Sequence, residues 1–272
     1  MTWNPLVRQG QGKHTARKQE LLESVFRESI AISKAGKAWQ FPYWHIDLNS
    51  GSGWNDKAKP QCEGSPLVFL RTATSAKRRC NVVLCDNDDA AIDALNRNVL
   101  SVQSDGCDIR ICCEDNGQVL RWASLRIAAE ENPRFAVGTV LCDPNGWKPV
   151  DVPLDEIRLF AERFPRIDLV FNLNLSLFAM TRACRQRQKK GFTDKPDPED
   201  ILRSIPHRNW MVSSPPKGGH GNRFSLAVGR SIASAKYPPG FYPLDSDIGL
   251  DIIRAFQRVQ DRQQLIPFED LK

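Results

Sequence analysis

Apolar positions recur along this chain in two alternating rhythms. Between Ala16 and Lys37, the residues Leu21, Leu22, Val25, Phe26, Ile30 and Ile32 suit one side of a helix, which predicts an amphipathic helix after an irregular start over residues 1–16. FPYWHIDLN then reads as a first buried strand, residues 50–62 as a polar loop, and GSPLVFLRTATSA as a helix opening near Ser65-Pro66, where proline's missing N–H does no harm. Strand and helix then alternate. NVVLCD (81–86) precedes AAIDALNRNVL (90–100), and DIRICCED (108–115) precedes GQVLRWASLRIAAEE. VGTVLCDP (137–144) precedes LDEIRLFAERF (154–164), and IDLVFNLN (167–174) precedes SLFAMTRACRQRQKK. Helices between successive strands imply parallel crossovers, so the pattern predicts an α/β, doubly wound sheet.

Beyond residue 190 the rhythm changes. NWMVSSP (209–215) and RFSLAVGRS (223–231) are strand-like, and the glycine-rich PKGGHGN between them leaves no room for a helix. That predicts an antiparallel hairpin at the end of a mostly parallel sheet. IGLDIIRAFQRVQDR reads as a last helix. The chain therefore divides into an N-terminal segment and helix (1–40), a main domain (41–235) and a helical tail (236–272). Five βα units closed by an antiparallel hairpin resemble the layout of Rossmann-like S-adenosylmethionine (SAM)-dependent methyltransferases. Dehydrogenase sheets do not usually finish this way.

Composition narrows the picture. The 272 residues suffice for one large α/β domain with small additions. No apolar run approaches the roughly 18 residues of a membrane helix, and the N-terminus lacks an apolar signal core, so a cytoplasmic protein away from membranes is expected. The 8 cysteines form no CxxC pair and the 4 histidines (14, 45, 207, 220) are scattered, which argues against a zinc site. Cys85, Cys112, Cys113 and Cys142 fall in predicted strands and read as reduced core thiols. The net charge of +6 is uneven: residues 178–230 hold 11 Lys/Arg against 4 Asp/Glu, residues 1–40 hold 7 against 3, and the remainder is acidic. A localised basic surface suits nucleic acid, and equally a solvated, solubilising face.

Ligands of such a sheet bind at the carboxyl ends of its strands. Reading those ends in order gives Asp47 followed by Gly51-Ser52-Gly53, then Asp86, Asp115 and Asp143-Pro144. One acid after a strand is usually a helix cap; four in succession point to a ligand. For SAM, Gly51 and Gly53 would let the backbone pass close to the methionine and ribose portions. Asp47 would hold the loop or bind the ligand's ammonium, and Asn49 belongs with this cofactor-binding set. Asp86 would accept from the ribose hydroxyls and Asp115 from the adenine amino group, with Glu114 as a competitor. A dinucleotide is a poorer fit, because Asp56 stands at the third glycine position of GSGWND and no helix follows the loop directly. There is also no GxxxxGK[ST].

CDPNGW (142–147) is the candidate reaction centre. Amino-directed nucleic-acid methyltransferases often carry Asp/Asn-Pro-Pro-aromatic here. The acid and the next carbonyl accept an exocyclic amine's hydrogens, freeing its lone pair for in-line attack, while the aromatic stacks on the extruded base. Asp143, Pro144 and Trp147 would fill those roles, although Asn145-Gly146 departs from the pattern and a plain Asp-Pro-Asn-Gly turn explains the same letters. Asn172 and Asn174 share one strand face and would read a substrate edge or satisfy loop backbone groups. Arg185, Lys189, Lys190, Lys217 and His220, with Phe192 and Trp210 nearby, offer charge and stacking to DNA or RNA.

The order KQELLESVFRESI, YWHIDLNSGSGW, EGSPLVFL, VVLCDND, CCEDNGQVL, LCDPNGW, DLVFNLNLSL resembles the three-Cys-motif partner proteins, a bacterial and phage family similar to SAM methyltransferases. The resemblance runs from about residue 18 to 180 and is most distinctive at Gly64–Leu67; Asn49-Ser50 stands where that family tends to show Phe-Ala. More distantly the chain resembles phage-type adenine-amino DNA methyltransferases. The resemblance implies a SAM-dependent methyltransferase acting on a base amino group, adenine in DNA before RNA, with a small protein partner as a further expectation. Two alternatives stand beside it: a catalytically silent methyltransferase fold that binds nucleic acid or protein, and a nicotinamide-dependent oxidoreductase.

Overall fold

The computed structural model describes residues 15–34, 36–55, 62–102, 105–143, 152–174, 198–214, 224–231 and 238–254. The first helix, α1 (Thr15–Ser33), stops four residues before the expected Lys37, and a short 3-10 turn (Gly36–Gln40) leads into β1 (Tyr43–Asp47). The expected polar loop carries a small ladder of its own, β2 (Trp54–Asn55) against β3 (Cys62–Glu63). Next come α2 (Ser65–Ser75), β4 (Cys80–Asp86), α3 (Asp89–Leu100), β5 (Cys107–Cys113), α4 (Asn116–Ala128), β6 (Val137–Cys142), α5 (Leu154–Arg163) and β7 (Ile167–Asn174). The chain ends with α6 (Pro198–Arg203), β8 (Asn209–Ser213), β9 (Phe224–Arg230), β10 (Phe241–Pro243) and helical turns over 247–254. The sequence pattern gave no sign of α6 or β10, both of which are short. The helix expected over SLFAMTRACRQRQKK lies outside the described residues.

The eight-stranded sheet runs β10-β8-β9-β7-β6-β1-β4-β5. β7, β6, β1, β4 and β5 are parallel, as the crossovers require. β9 inserts between β7 and β8 and is antiparallel to both, and β10 adds an antiparallel edge beside β8. This is a Rossmann-like, doubly wound sheet ending in antiparallel strands.

Period-two alternation sorts the strand residues into two core layers. Trp44 and Ile46 of β1 pack with α4 and α5 on one face, while Tyr43 packs with α1, α2 and α3 on the other. α1 is fastened to the sheet by polar groups as well. Ser29 donates to Asp168 of β7 (2.8 Å), and the buried Arg230 of β9 reaches both Asp168 (3.2 Å) and Glu28 of α1. β10 belongs to the same sheet, so the described parts of the N-terminal and C-terminal segments both pack on the central architecture.

Two expectations are corrected. Cys113, expected as a core thiol, is exposed at the end of β5. Trp210 does not offer a stacking surface: it is 7% exposed, lies against Phe171 with ring centroids 5.7 Å apart, and its ring crosses directly over Gly229. A β-strand position facing the core buries an aromatic because that is the largest apolar gain available to it.

Candidate functional site

β6, β1, β4 and β5 are neighbours, so the four acids at or just beyond their carboxyl ends gather on one rim. Their surroundings separate them. Asp47 is fully buried. It accepts from the Asn49 amide (3.2 Å) and from the hydroxyl of Ser65 (2.7 Å), the first residue of α2. It therefore ties the loop after β1 to the next helix. Burial pushes its carboxyl up to about 7, against those two hydrogen bonds.

The glycine loop is held from both sides. Gly51 (φ +57°) donates its amide to Asp86 (2.8 Å), and a Cβ placed there would meet open space. Gly53 (φ +78°) is closed in: a Cβ would lie 3.0 Å from Leu95, and its carbonyl accepts from the Gly64 amide at 2.7 Å. Both φ values lie in the left-handed region that glycine enters without a Cβ penalty. Asp86 also accepts from the Asp88 amide (3.1 Å), and burial raises its carboxyl above the usual range. A carboxylate has about four acceptor positions, so Asp86 keeps some for another donor. Asp115 caps α4, its Oδ1 accepting from Gly117 (2.9 Å) and Gln118 (3.1 Å). Asp88, which was not among the candidates, caps α3 in the same way.

Asp143 is the centre of a second cluster. Its backbone amide donates to Asn49 Oδ1 (3.1 Å). Its Oδ1 accepts from Asn172 Nδ2 (2.6 Å), and its Oδ2 meets the ammonium of Lys18 from α1. Asn172 is 5% exposed, and among the described residues nothing donates to its buried Oδ1. Asn49, Asp143 and Asn172 thus meet at the ends of β1, β6 and β7. Lys18 was missed by sequence reading. Its signal was faint but present: it lies three and four residues before Leu21 and Leu22, so a charge sits on the apolar stripe of α1.

Pro144, Trp147, Arg185, Lys189, Lys190, Lys217 and His220 lie outside the described residues, as does Phe192. Asn174 ends β7, its backbone in register with Phe224. A cavity of about 190 Å³ lies away from this rim, between α4 and β1, β4 and β5, lined by Trp44, Trp122, Arg110 and Glu130. It opens beside the amino-terminal halves of those strands and shares no residue with the acid clusters. Among the described residues no helix is long and apolar enough to cross a membrane.

No protein-family model matches the sequence, and no curated protein matches it. Solved structures do match. Protein LPL1258 of Legionella pneumophila overlaps with a TM-score of 0.50 at 12% identity, over 79% of this chain and 86% of that one. A candidate methyltransferase of Thermobifida fusca overlaps at 0.49 and 14% identity, over 83% and 84%. Magnesium protoporphyrin IX methyltransferase of Synechocystis, with S-adenosylhomocysteine bound, overlaps at 0.43 and 14%, over 84% and 90%. At 12% identity, the overlap with protein LPL1258 speaks for a shared fold and not for shared chemistry.

Proposed function

We propose that this chain is a SAM-dependent methyltransferase that transfers a methyl group to an exocyclic amino group of a nucleic-acid base, with adenine in DNA as the favoured substrate. The observation that carries this reading is the Asp143–Asn172 pair. Asn172 spends its amide N–H on Asp143 and keeps a buried carbonyl oxygen with no donor among the described residues. An orphaned buried acceptor costs about 1–3 kcal/mol, and a ligand N–H would remove that cost. An exocyclic amine has two hydrogens. One would go to Asp143 and the other to Asn172 Oδ1, drawing the nitrogen lone pair out of the ring.

The donor side fits the same reading. The open space beside Gly51, the amides of its loop and the remaining acceptor positions of Asp86 suit a ribose and its chain. Asp115 Oδ2, or Glu114, would take the adenine amino group. Bound SAM supplies an electrophilic methyl on a sulfonium. Pro144 and Trp147 follow Asp143 in sequence and are assigned to base stacking. Asn174, Arg185, Lys189, Lys190, Lys217 and His220 are assigned to the nucleic-acid strand, on the strength of the basic stretch from 178 to 230.

Lys18 favours the second reading, a catalytically silent fold, because its ammonium occupies the carboxylate that catalysis would need. Incubation with methyl-labelled SAM and separate DNA, RNA and protein pools tests the two. The proposal expects label in DNA, lost in Asp143→Ala. Binding of SAM with no label in any pool would leave the silent reading.

A further inference from the structure

β4 and β5 lie in parallel register with Cys80 opposite Cys107 and Cys85 opposite Cys112. Each pair shares a face. Cys80 and Cys107 belong to the layer under α2 and α3, and Cys85 and Cys112 to the layer under α4. Neighbouring strands are about 4.8 Å apart, inside the roughly 4.4–6.8 Å that a disulfide spans between Cα atoms. Cys80 donates its S–H to the carbonyl of Arg78 (3.3 Å) and Cys85 donates to that of Glu114 (3.1 Å). All four are free.

Access distinguishes the pairs. Cys85 is fully buried and Cys112 is 8% exposed, whereas Cys107 is partly exposed at the start of β5 beside the Gly106 turn. Its partner Cys80 is 2% exposed. The neighbouring Cys80 thiol draws that of Cys107 down, while Cys107 and burial push that of Cys80 up, so the reachable sulfur is also the more readily ionised one.

We propose that Cys80 and Cys107 form a reversible dithiol–disulfide site oxidised by hydrogen peroxide, with Cys107 as the attacking sulfur and Cys80 as the resolving one. The Cys107 thiolate attacks one peroxide oxygen. An S–O bond forms, the O–O bond breaks, and the departing hydroxide takes up a proton to leave as water. Cys80 then gives up its proton and attacks the sulfenic sulfur. The S–S bond forms, the S–O bond breaks, and a second water leaves. The two sulfurs together lose two electrons and the peroxide gains them. The site is independent of the proposed methyl transfer. It does lie in the seam whose far end delivers Asp86 to the rim.

The full-length protein, treated with hydrogen peroxide under native conditions, alkylated, digested and analysed by mass spectrometry, tests this. The expected result is the loss of two hydrogens and a link between the Cys80 and Cys107 peptides. That link should be reversed by dithiothreitol and form before any between Cys85 and Cys112. Cys107→Ser should remove it, and Cys80→Ala should leave a sulfenic acid on Cys107 that dimedone traps. Peroxide-modified Cys107 in the wild type with no link to Cys80, a link from Cys107 to any other cysteine, or a Cys107 that resists peroxide would each overturn it.

Discussion

At the residue scale, the four rim acids are alike in sequence and unlike in circumstance. Asp47 is sealed beneath the loop it holds, with a pKa of about 7 in the fold against 3.8 as its ordinary value. The folded chain therefore binds a proton there that the unfolded chain releases. Asp47's contribution to stability is full below about pH 4 and is lost as pH rises through about 7. Asp47→Asn keeps an oxygen for the Asn49 amide and offers N–H to the Ser65 oxygen, but does not titrate. Denaturant titrations at pH 4.5 and 7.5 should show the variant gaining on the wild type by about 3 kcal/mol between the lower and the higher pH. Parallel profiles for the two proteins would show that Asp47 is not held in this environment.

The sequence made these acids visible because each ends an apolar run. It could not sort them. A helix cap and a ligand-binding acid have the same spacing after a strand. Asp115 was open to both roles, and in the fold its Oδ1 caps α4. What distinguishes Asp47 is Ser65, 18 residues on, and what distinguishes Asp143 is Lys18, 125 residues back. Neither contact has a local signature.

At the scale of elements, two devices hold the rim in place. The first is the closeness of the loop after β1 to the start of α2. A Cβ on Gly64 would lie 2.9 Å from the Gly53 carbonyl oxygen, a backbone atom that cannot swing aside. Gly64→Ala should cost about 1–3 kcal/mol by overpacking. Gly51→Ala meets no atom within 4 Å, so only its left-handed backbone resists, at about 1–2 kcal/mol. Urea titrations should rank Gly64→Ala as at least as damaging as Gly51→Ala, and the reverse order would mean that this contact is not tight.

The second device is the buried anchor of α1. Arg230 is 4% exposed and faces Asp168, whose carboxyl is raised by burial despite the arginine. Arg230→Met leaves that acid without the guanidinium it bonds, with Arg208 its remaining counter-charge, and costs up to about 3–5 kcal/mol for a buried pair. Hydrogen exchange should then quicken in α1, because Glu28 loses its partner and the acid that holds Ser29 loses the guanidinium beside it. A variant with unchanged stability and unchanged exchange in α1 would remove the anchor from the account. The sequence announced α1 by its apolar stripe but not this fastening, since Ser29, Asp168 and Arg230 meet only after β7 and β9 pair.

At the scale of the molecule, the sheet was legible because strand–helix alternation leaves few topologies open. The pattern also revealed the antiparallel end, through a glycine-rich turn too short for a crossover. The place of β9 between β7 and β8 was not readable, because a hairpin's sequence fixes its own pairing and not which of its strands meets the sheet. The four-acid rim follows from the parallel order of β6, β1, β4 and β5. The proposed function divides labour on that rim: Asp86 would serve the donor, and Asp143 with Asn172 would serve the amine. Calorimetric titration of SAM into the wild type, Asp86→Ala and Asp143→Ala measures that division directly. The account predicts saturable binding to the wild type, at least about tenfold weaker binding to Asp86→Ala, a loss of about 1.4 kcal/mol or more, and nearly unchanged binding to Asp143→Ala. Absence of binding to the wild type, or equal affinity for the wild type and Asp86→Ala, would contradict it.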